Sequence, residues 1–287
     1  MTTDGPELLA SYWLHAGDTA PAVGREWSAW DFETRVQRLA EVGFTGIGLT
    51  HTELRHRLTE HGETLADLRS VLDRHGLTHV ELEILNAWLL PRADERRERE
   101  RETREFLLSA AETLDAAHLK VGNFDGHRVP LADAAARFRT LCERAAAVDT
   151  AVGFEPSPVD PNVDSLDDAL AVVEGAANGG LLLDSWHLAK LGVPTERLRD
   201  LDASDIVAAE LADGRYDTDV ETATEMVDHR ELPGDGEFDL DGFVSALRRA
   251  GYAGPWGHEI LSAEYRQRPM EQAYRQAYET AMAVLRR

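Results

Sequence analysis

Short apolar runs alternate with amphipathic stretches along the whole chain. The clearest run is Gly179-Gly180-Leu181-Leu182-Leu183-Asp184-Ser185-Trp186-His187, where three leucines end in a carboxylate and an imidazole follows three residues on. Flanked by glycine and too short for a helix, its apolar part predicts a strand buried on both faces, as in parallel sheets. Comparable runs predict strands at 8–14, 46–50, 78–85, 118–124, 151–155, 205–211 and 254–260. Between them the apolar spacing changes to that of helices. After a Gly17/Pro21/Gly24 loop, Phe32, Val36, Leu39, Ala40 and Val42 fall close to one face of a helix that stops at Gly43. Further helices are expected at 64–75, 92–114, 131–148, 166–177, 195–201, 240–250 and 270–287.

Eight strands in strict alternation with about eight helices predict an α/β protein, a single (β/α)8 barrel over residues 1–287. An open doubly wound sheet is the other arrangement with this alternation, but no G-x-G-x-x-G follows the first strand. The longest segment without periodicity is 213–237, punctuated by Gly214, Pro233, Gly234 and Gly236, and is expected to be a functional loop or lid.

Composition narrows the function. The chain carries 53 acids and 30 bases, a formal charge of −23, which repels phosphate backbones and argues against a nucleic-acid partner. The dense run of mixed charge at 92–104 reads as the solvated face of a helix. The lone Cys142 cannot form an internal disulfide and is expected to be a buried, inert thiol. No long apolar run and no basic-then-apolar N-terminus is present, so a soluble cytoplasmic protein with no membrane partner is the default expectation.

In a parallel barrel the active site lies at the C-terminal ends of the strands. Glu155, Asp184, Glu210 and Glu259 all end expected strands. Four carboxylates brought together repel unless some take up protons or a divalent cation joins them. An oxygen-rich ligand set favours Mn or Mg, with Co and Fe as further candidates. His187 is a candidate substrate ligand or proton shuttle. His51, Glu83 and Lys120, at the ends of strands two, three and four, are candidate substrate contacts, as is Arg230 in the long loop. Trp13, Trp27, Trp88 and Trp186 could each offer an apolar platform to a ring.

Glu155, Asp184-x-x-His187 and Glu259 on such a barrel resemble the xylose-isomerase-like superfamily of sugar isomerases and epimerases, which includes inosose-dehydratase-like enzymes. Arg230-Glu231-Leu232-Pro233-Gly234-Asp235-Gly236-Glu237-Phe238-Asp239 resembles the recurrent loop before the last helix of that superfamily. Gly251-Tyr252-Ala253-Gly254-Pro255-Trp256 resembles the lead into its final strand. The resemblance implies that Glu155 and Glu259 bind the metal and move protons on opposite faces of a substrate. It further implies that Asp184 is a pure metal ligand and that His187 contacts a substrate oxygen. Strand seven usually supplies a histidine ligand, whereas this chain has Glu210 followed by Asp213-Gly214.

The resulting expectation is a divalent-metal-dependent isomerase or epimerase of a keto-sugar or cyclitol, working by proton transfer α to a carbonyl through an enediolate. A lyase or dehydratase expelling a β-substituent uses the same parts, and a non-catalytic sugar-binding barrel subunit is a third reading. A nuclease of the same superfamily would need a histidine-rich zinc cluster and a basic surface, neither of which is apparent. Barrels of this type often pair, so a homodimer is compatible with the chain, although no stretch identifies an interface.

Overall fold

A computed structural model describes residues 5–21 and 24–287; Ala22 and Val23, inside the expected first loop, lie outside the described residues. Eight strands form a closed parallel barrel in chain order: β1 (Leu8–Ala10), β2 (Gly46–Thr50), β3 (His79–Leu85), β4 (His118–Val121), β5 (Ala151–Phe154), β6 (Gly179–Asp184), β7 (Ile206–Leu211) and β8 (Trp256–His258). Helices Phe32–Val42, Leu65–His75, Arg97–Leu114, Leu131–Ala146, Leu166–Val173, Leu240–Ala250 and Met270–Leu285 surround it. Closure follows from the register: β1 pairs with both β2 and β8, so neither edge is left open. The fold is the expected (β/α)8 barrel. Cys142 is buried and free, and no described helix is long and apolar enough to cross a membrane.

The expected elements shift in four places. The first strand ends at Ala10, and a short helix, Tyr12–His15, replaces the rest of it. The Tyr12 amide donates to Glu83 Oε1 at 2.6 Å, which takes the backbone out of the sheet ladder. A helix at His51–Glu60 departs from the expected elements, because its inward face buries Glu53 and Arg57 beside Leu54 and so shows little apolar periodicity. Lys120 lies inside β4, one residue before its end. The segment 213–237 includes a helix at Thr222–Asp228.

The ionic face of His51–Glu60 ties down the chain after β1. Glu53 pairs with Arg35 and accepts from Tyr12 Oη at 3.0 Å and from the Ser28 amide at 2.9 Å. Arg35 Nη1 donates to His15 Nδ1 at 2.9 Å, and His15 Nε2 donates to the Gly48 carbonyl at 2.9 Å. This fixes His15 as neutral: burial and the Arg35 charge push it down to about 3. Burial likewise pushes His258 down to about 3 while its Nδ1 donates to the Ala277 carbonyl at 3.1 Å.

A histidine held neutral in the fold stabilises above its unfolded pKa, and that stabilisation is lost as pH falls from about 6.5 toward 3. Glu83 acts with the opposite sign, because burial pushes it up to about 8. The test is therefore a difference. The free-energy gap between wild type and His258→Gln, measured by urea unfolding, is expected to move in the variant's favour by about 1.4 kcal/mol per pH unit below pH 6.5. A gap that does not change between pH 6.5 and 5 contradicts the neutral, buried state of His258.

Candidate active site

The C-terminal mouth of the barrel holds an ionic layer built from the strands upward. Glu81 and Glu83 come from β3, Lys120 from β4, Asp184 from the end of β6 and Glu210 from β7. Glu155 and Glu259 stand one residue past β5 and β8. All seven are at most 4 % exposed. Two strand glycines make room for this layer. A Cβ at Gly48 would lie 2.5 Å from Glu83 Oε1, and one at Gly257 would lie 2.5 Å from Glu210 Cγ. An alanine at either position would drive a carboxylate out of place.

The layer divides into two clusters. On one side, Lys120 Nζ donates to Glu210 Oε1 and Oε2, both at 2.9 Å, and to Glu259 Oε1 at 3.0 Å. Glu83 and Glu81 lie 3.6 and 3.7 Å from the same ammonium. Glu210 also accepts from Ser11 Oγ at 2.6 Å. Burial opposes a charge on Lys120, but Glu210, Glu259, Glu81 and Glu83 outweigh it and hold the ammonium well above its usual pKa. Burial also opposes a charge on Glu81, yet Lys120 and the 2.6 Å contact with His118 keep its pKa low.

On the other side, Glu155, Asp184, His187 and Glu259 each place a ligand-type atom within 4.8 Å of the others. Asp184 does two jobs. Its Oδ1 caps the helix Ser185–Lys190 through the amides of Trp186 (2.6 Å) and His187 (3.3 Å), while Oδ2 meets Arg230 Nη1 at 2.7 Å. That short helix follows the strand directly and brings His187 round to the carboxylates. Arg230 Nη1 also lies 3.0 Å from Glu259 Oε2, and its Nη2 is 3.2 Å from His187 Nε2. Burial, reinforced by Glu259 and Asp184, pushes Glu155 well above the usual carboxylate range. Burial and Arg230 together keep His187 neutral.

A divalent cation fits this second cluster. Glu155 Oε1 and His187 Nδ1 are shielded from solvent and have no hydrogen-bond partner. A buried carboxylate oxygen without a partner costs free energy that a bound cation removes. Glu210 does not join the group; Lys120 holds both of its oxygens, and His187 stands fourth among the candidate ligands.

Above the layer is a cavity of about 130 Å3, close to the size that takes up a single six-membered ring. Glu83, Lys120, Glu155, His187, Arg230 and Glu259 form its polar floor. Trp13, Ile84, Phe124, Met226, Val227 and Leu261 form apolar walls, and Asn86 presents an amide whose Oδ1 has no partner. Of the four candidate tryptophans, Trp13 alone lines this space. Trp186 is buried under Arg230, whose guanidinium carbon is 5.0 Å from the ring centre. Trp27 stacks on His56, and Trp88 lines a separate cavity. His51 is also elsewhere: it opens its helix and faces a different cavity with Trp27, Arg55 and His56. Asn86, Ser11, Phe124 and Met226 carried no sequence signal: the first three are ordinary residues just past strand ends, and Met226 lies in the helix Thr222–Asp228, inside a segment without apolar periodicity.

The motif that carries Arg230 explains its burial. Asp213 Oδ1 accepts from the amides of Gly214 (2.8 Å) and Phe238 (3.1 Å), and Oδ2 accepts from Gly234 (2.9 Å). Asp213 and Glu231 exchange backbone hydrogen bonds, and the Arg230 amide donates to the Leu261 carbonyl at 3.0 Å. The loop is thereby pinned on both sides, and Arg230 can only point inward.

Comparison with known proteins agrees with this architecture. Over 137 residues the chain is 31% identical to a 3-dehydroshikimate dehydratase of Pseudomonas aeruginosa, covering 46% of this chain and 21% of that protein. Over 125 residues it is 32% identical to an inosose isomerase of Halalkalibacterium halodurans, covering 43% of each. The matched region thus spans less than half the length of either relative. A crystal structure of IOLI protein with a bound zinc atom superposes with a TM-score of 0.79 over 97% of this chain and 98% of that one, at 19% identity. Residues 36–287 match the family described as xylose isomerase-like TIM barrel, and on that match the chain belongs to this family.

Proposed function

We propose that the chain is a divalent-metal-dependent isomerase or epimerase of a compact keto-sugar or cyclitol. The observation that carries this reading is the buried group Glu155, Asp184, His187 and Glu259, of which Glu155, His187 and Glu259 line a cavity of about 130 Å3. The zinc in the related fold and the inosose isomerase among the relatives support it. Glu155, Asp184, Glu259 and His187 would hold the cation, Mn or Mg by their oxygen-rich chemistry, with Co, Fe and Zn as candidates. When bound, such a cation polarises a substrate carbonyl and makes the adjacent carbon acid stronger.

The protein groups divide the proton work by environment. Glu259 accepts from Lys120 through one oxygen and pairs with Arg230 through the other, which suits a general base. Glu155, the other candidate ligand carboxylate lining the cavity beside Glu259, would return the proton. The two stand one residue past β5 and β8, on strands that are not neighbours in the barrel. Charged Arg230 would orient the substrate's oxygens, and Asn86 would bind a further hydroxyl.

Proton return to the opposite face of the same carbon gives epimerisation, and return to the neighbouring carbon gives isomerisation. Loss of a β-hydroxyl gives dehydration, a second reading favoured by the match to a 3-dehydroshikimate dehydratase. The distinguishing experiment incubates the protein with inososes, ketohexoses and 3-dehydroshikimate in deuterium oxide, with and without Mn. Deuterium at the carbon α to the carbonyl, with no loss of water, is the expected result. An unsaturated product selects the dehydratase. Neither exchange nor elimination, together with binding of one of these compounds, selects the non-catalytic reading.

A further inference from the structure

Outside the barrel, between the helices Arg97–Leu114 and Leu131–Ala146, lies a cavity of about 380 Å3. Five arginines line it, Arg92, Arg97, Arg104, Arg137 and Arg144, and among the described residues no carboxylate does. In a chain with 53 acids and 30 bases this is a local inversion of charge.

The guanidinium groups are crowded together. Arg97 Nη1 and Arg137 Nη1 both donate to the Leu90 carbonyl, at 3.4 and 3.1 Å. Arg97 and Arg104 share Glu100, at 3.9 and 2.6 Å, and Arg104 and Arg144 share Glu105. Two carboxylates therefore serve three of the five guanidinium groups, while Arg137 donates to the Leu89 and Leu90 carbonyls. Glu100 compensates weakly, because burial raises its pKa despite Arg104 and Arg97. Arg104 Nε is shielded from water and has no hydrogen-bond partner. Like charges held this close repel, and a multiply charged anion between them removes that cost while matching the planar forks of arginine. The floor, from Leu85 and Trp88, is apolar and suits the carbon skeleton of such an anion.

We propose that this cavity is a binding site for a small multivalent oxyanion, a phosphate ester or a di- or tricarboxylate. The site is distinct from the barrel mouth and does not depend on the reaction assigned there. The two cavities meet at the end of β3, where Leu85 faces the arginines while Ile84 and Asn86 face the mouth.

Calorimetric titration of the full chain with pyrophosphate and, separately, with citrate tests the proposal. At low salt, binding of at least one probe with Kd below about 1 mM is expected, weakening as salt rises. Whichever probe binds more tightly identifies the phosphate or carboxylate class. The double variant Arg92→Gln/Arg144→Gln is expected to lose at least about tenfold in affinity, a change of about 1.4 kcal/mol, with its unliganded melting temperature unchanged. Asp184→Asn, which alters the barrel mouth, is expected to retain the affinity and so excludes chelation there as the source of heat. No binding of either probe up to about 10 mM overturns the proposal, as does equal affinity in the double variant.

Discussion

Asp184→Asn is expected to lose the bound metal and nearly all turnover while keeping its fold. The asparagine is isosteric, and its amide oxygen can still cap the helix Ser185–Lys190, the role of Asp184 Oδ1. What disappears is the negative charge at Oδ2, which faces Arg230 Nη1 at 2.7 Å and belongs to the candidate ligand group. An amide NH2 turned toward that guanidinium repels it. The loss in metal affinity should exceed the roughly 10- to 100-fold effect of removing an outer hydrogen-bond partner, because a ligand itself is lost. Elemental analysis of chelator-free protein is the check. About one divalent ion per chain in wild type, absent from Asp184→Asn and retained in Glu210→Ala, is the expected pattern. Retention in Glu210→Ala separates the group around His187 from one that uses strand seven. A wild type that stays metal-free after Mn addition removes the metal centre from the proposal.

Lys120→Met is expected to be the most damaging single change to stability. Lys120 is 1 % exposed and faces Glu81, Glu83, Glu210 and Glu259 within 3.7 Å. Methionine fills much of the same volume but leaves these carboxylates without their shared cation. Removing one partner of a buried ion pair costs about 3–5 kcal/mol. The cost should shrink as pH falls, because the stranded carboxyls can then take up protons; Glu83 is pushed up to about 8 even beside Lys120. Adding Glu210→Gln should restore part of the loss, since the doubly bonded partner of Lys120 is then neutral too. Urea unfolding of the single and double variants at pH 5 and 8 measures all three effects. A loss near 1 kcal/mol, the scale of an exposed pair, would mean that Lys120 is not the organising charge of the layer.

Local pattern was enough to determine the barrel. Leu181–Leu183 between glycines and an acid can only be a short strand buried on both faces, and repetition of that unit leaves few topologies open. Position along those strands also placed Glu155, Asp184 and Glu259 at one end of the barrel, and the i to i+3 step from Asp184 brought His187 with them. The same logic did not reach the helix His51–Glu60, whose buried residues are Glu53, Leu54 and Arg57, or the burial of Arg230, which depends on Asp213 pinning a loop.

Tertiary structure alone decided which charges meet. Glu210, one residue before the end of β7, is the register partner of Asp184 at the end of β6, yet Lys120 reaches Glu210 from across the barrel and draws it from the candidate ligand group. His51 directly follows the last residue of β2, but its helix begins there and turns it toward another cavity. Periodicity records which face a residue takes from its own few neighbours. The partner of a buried charge is set by distances between segments far apart in the chain, here 90 residues for Lys120 and Glu210, and no local pattern encodes that distance.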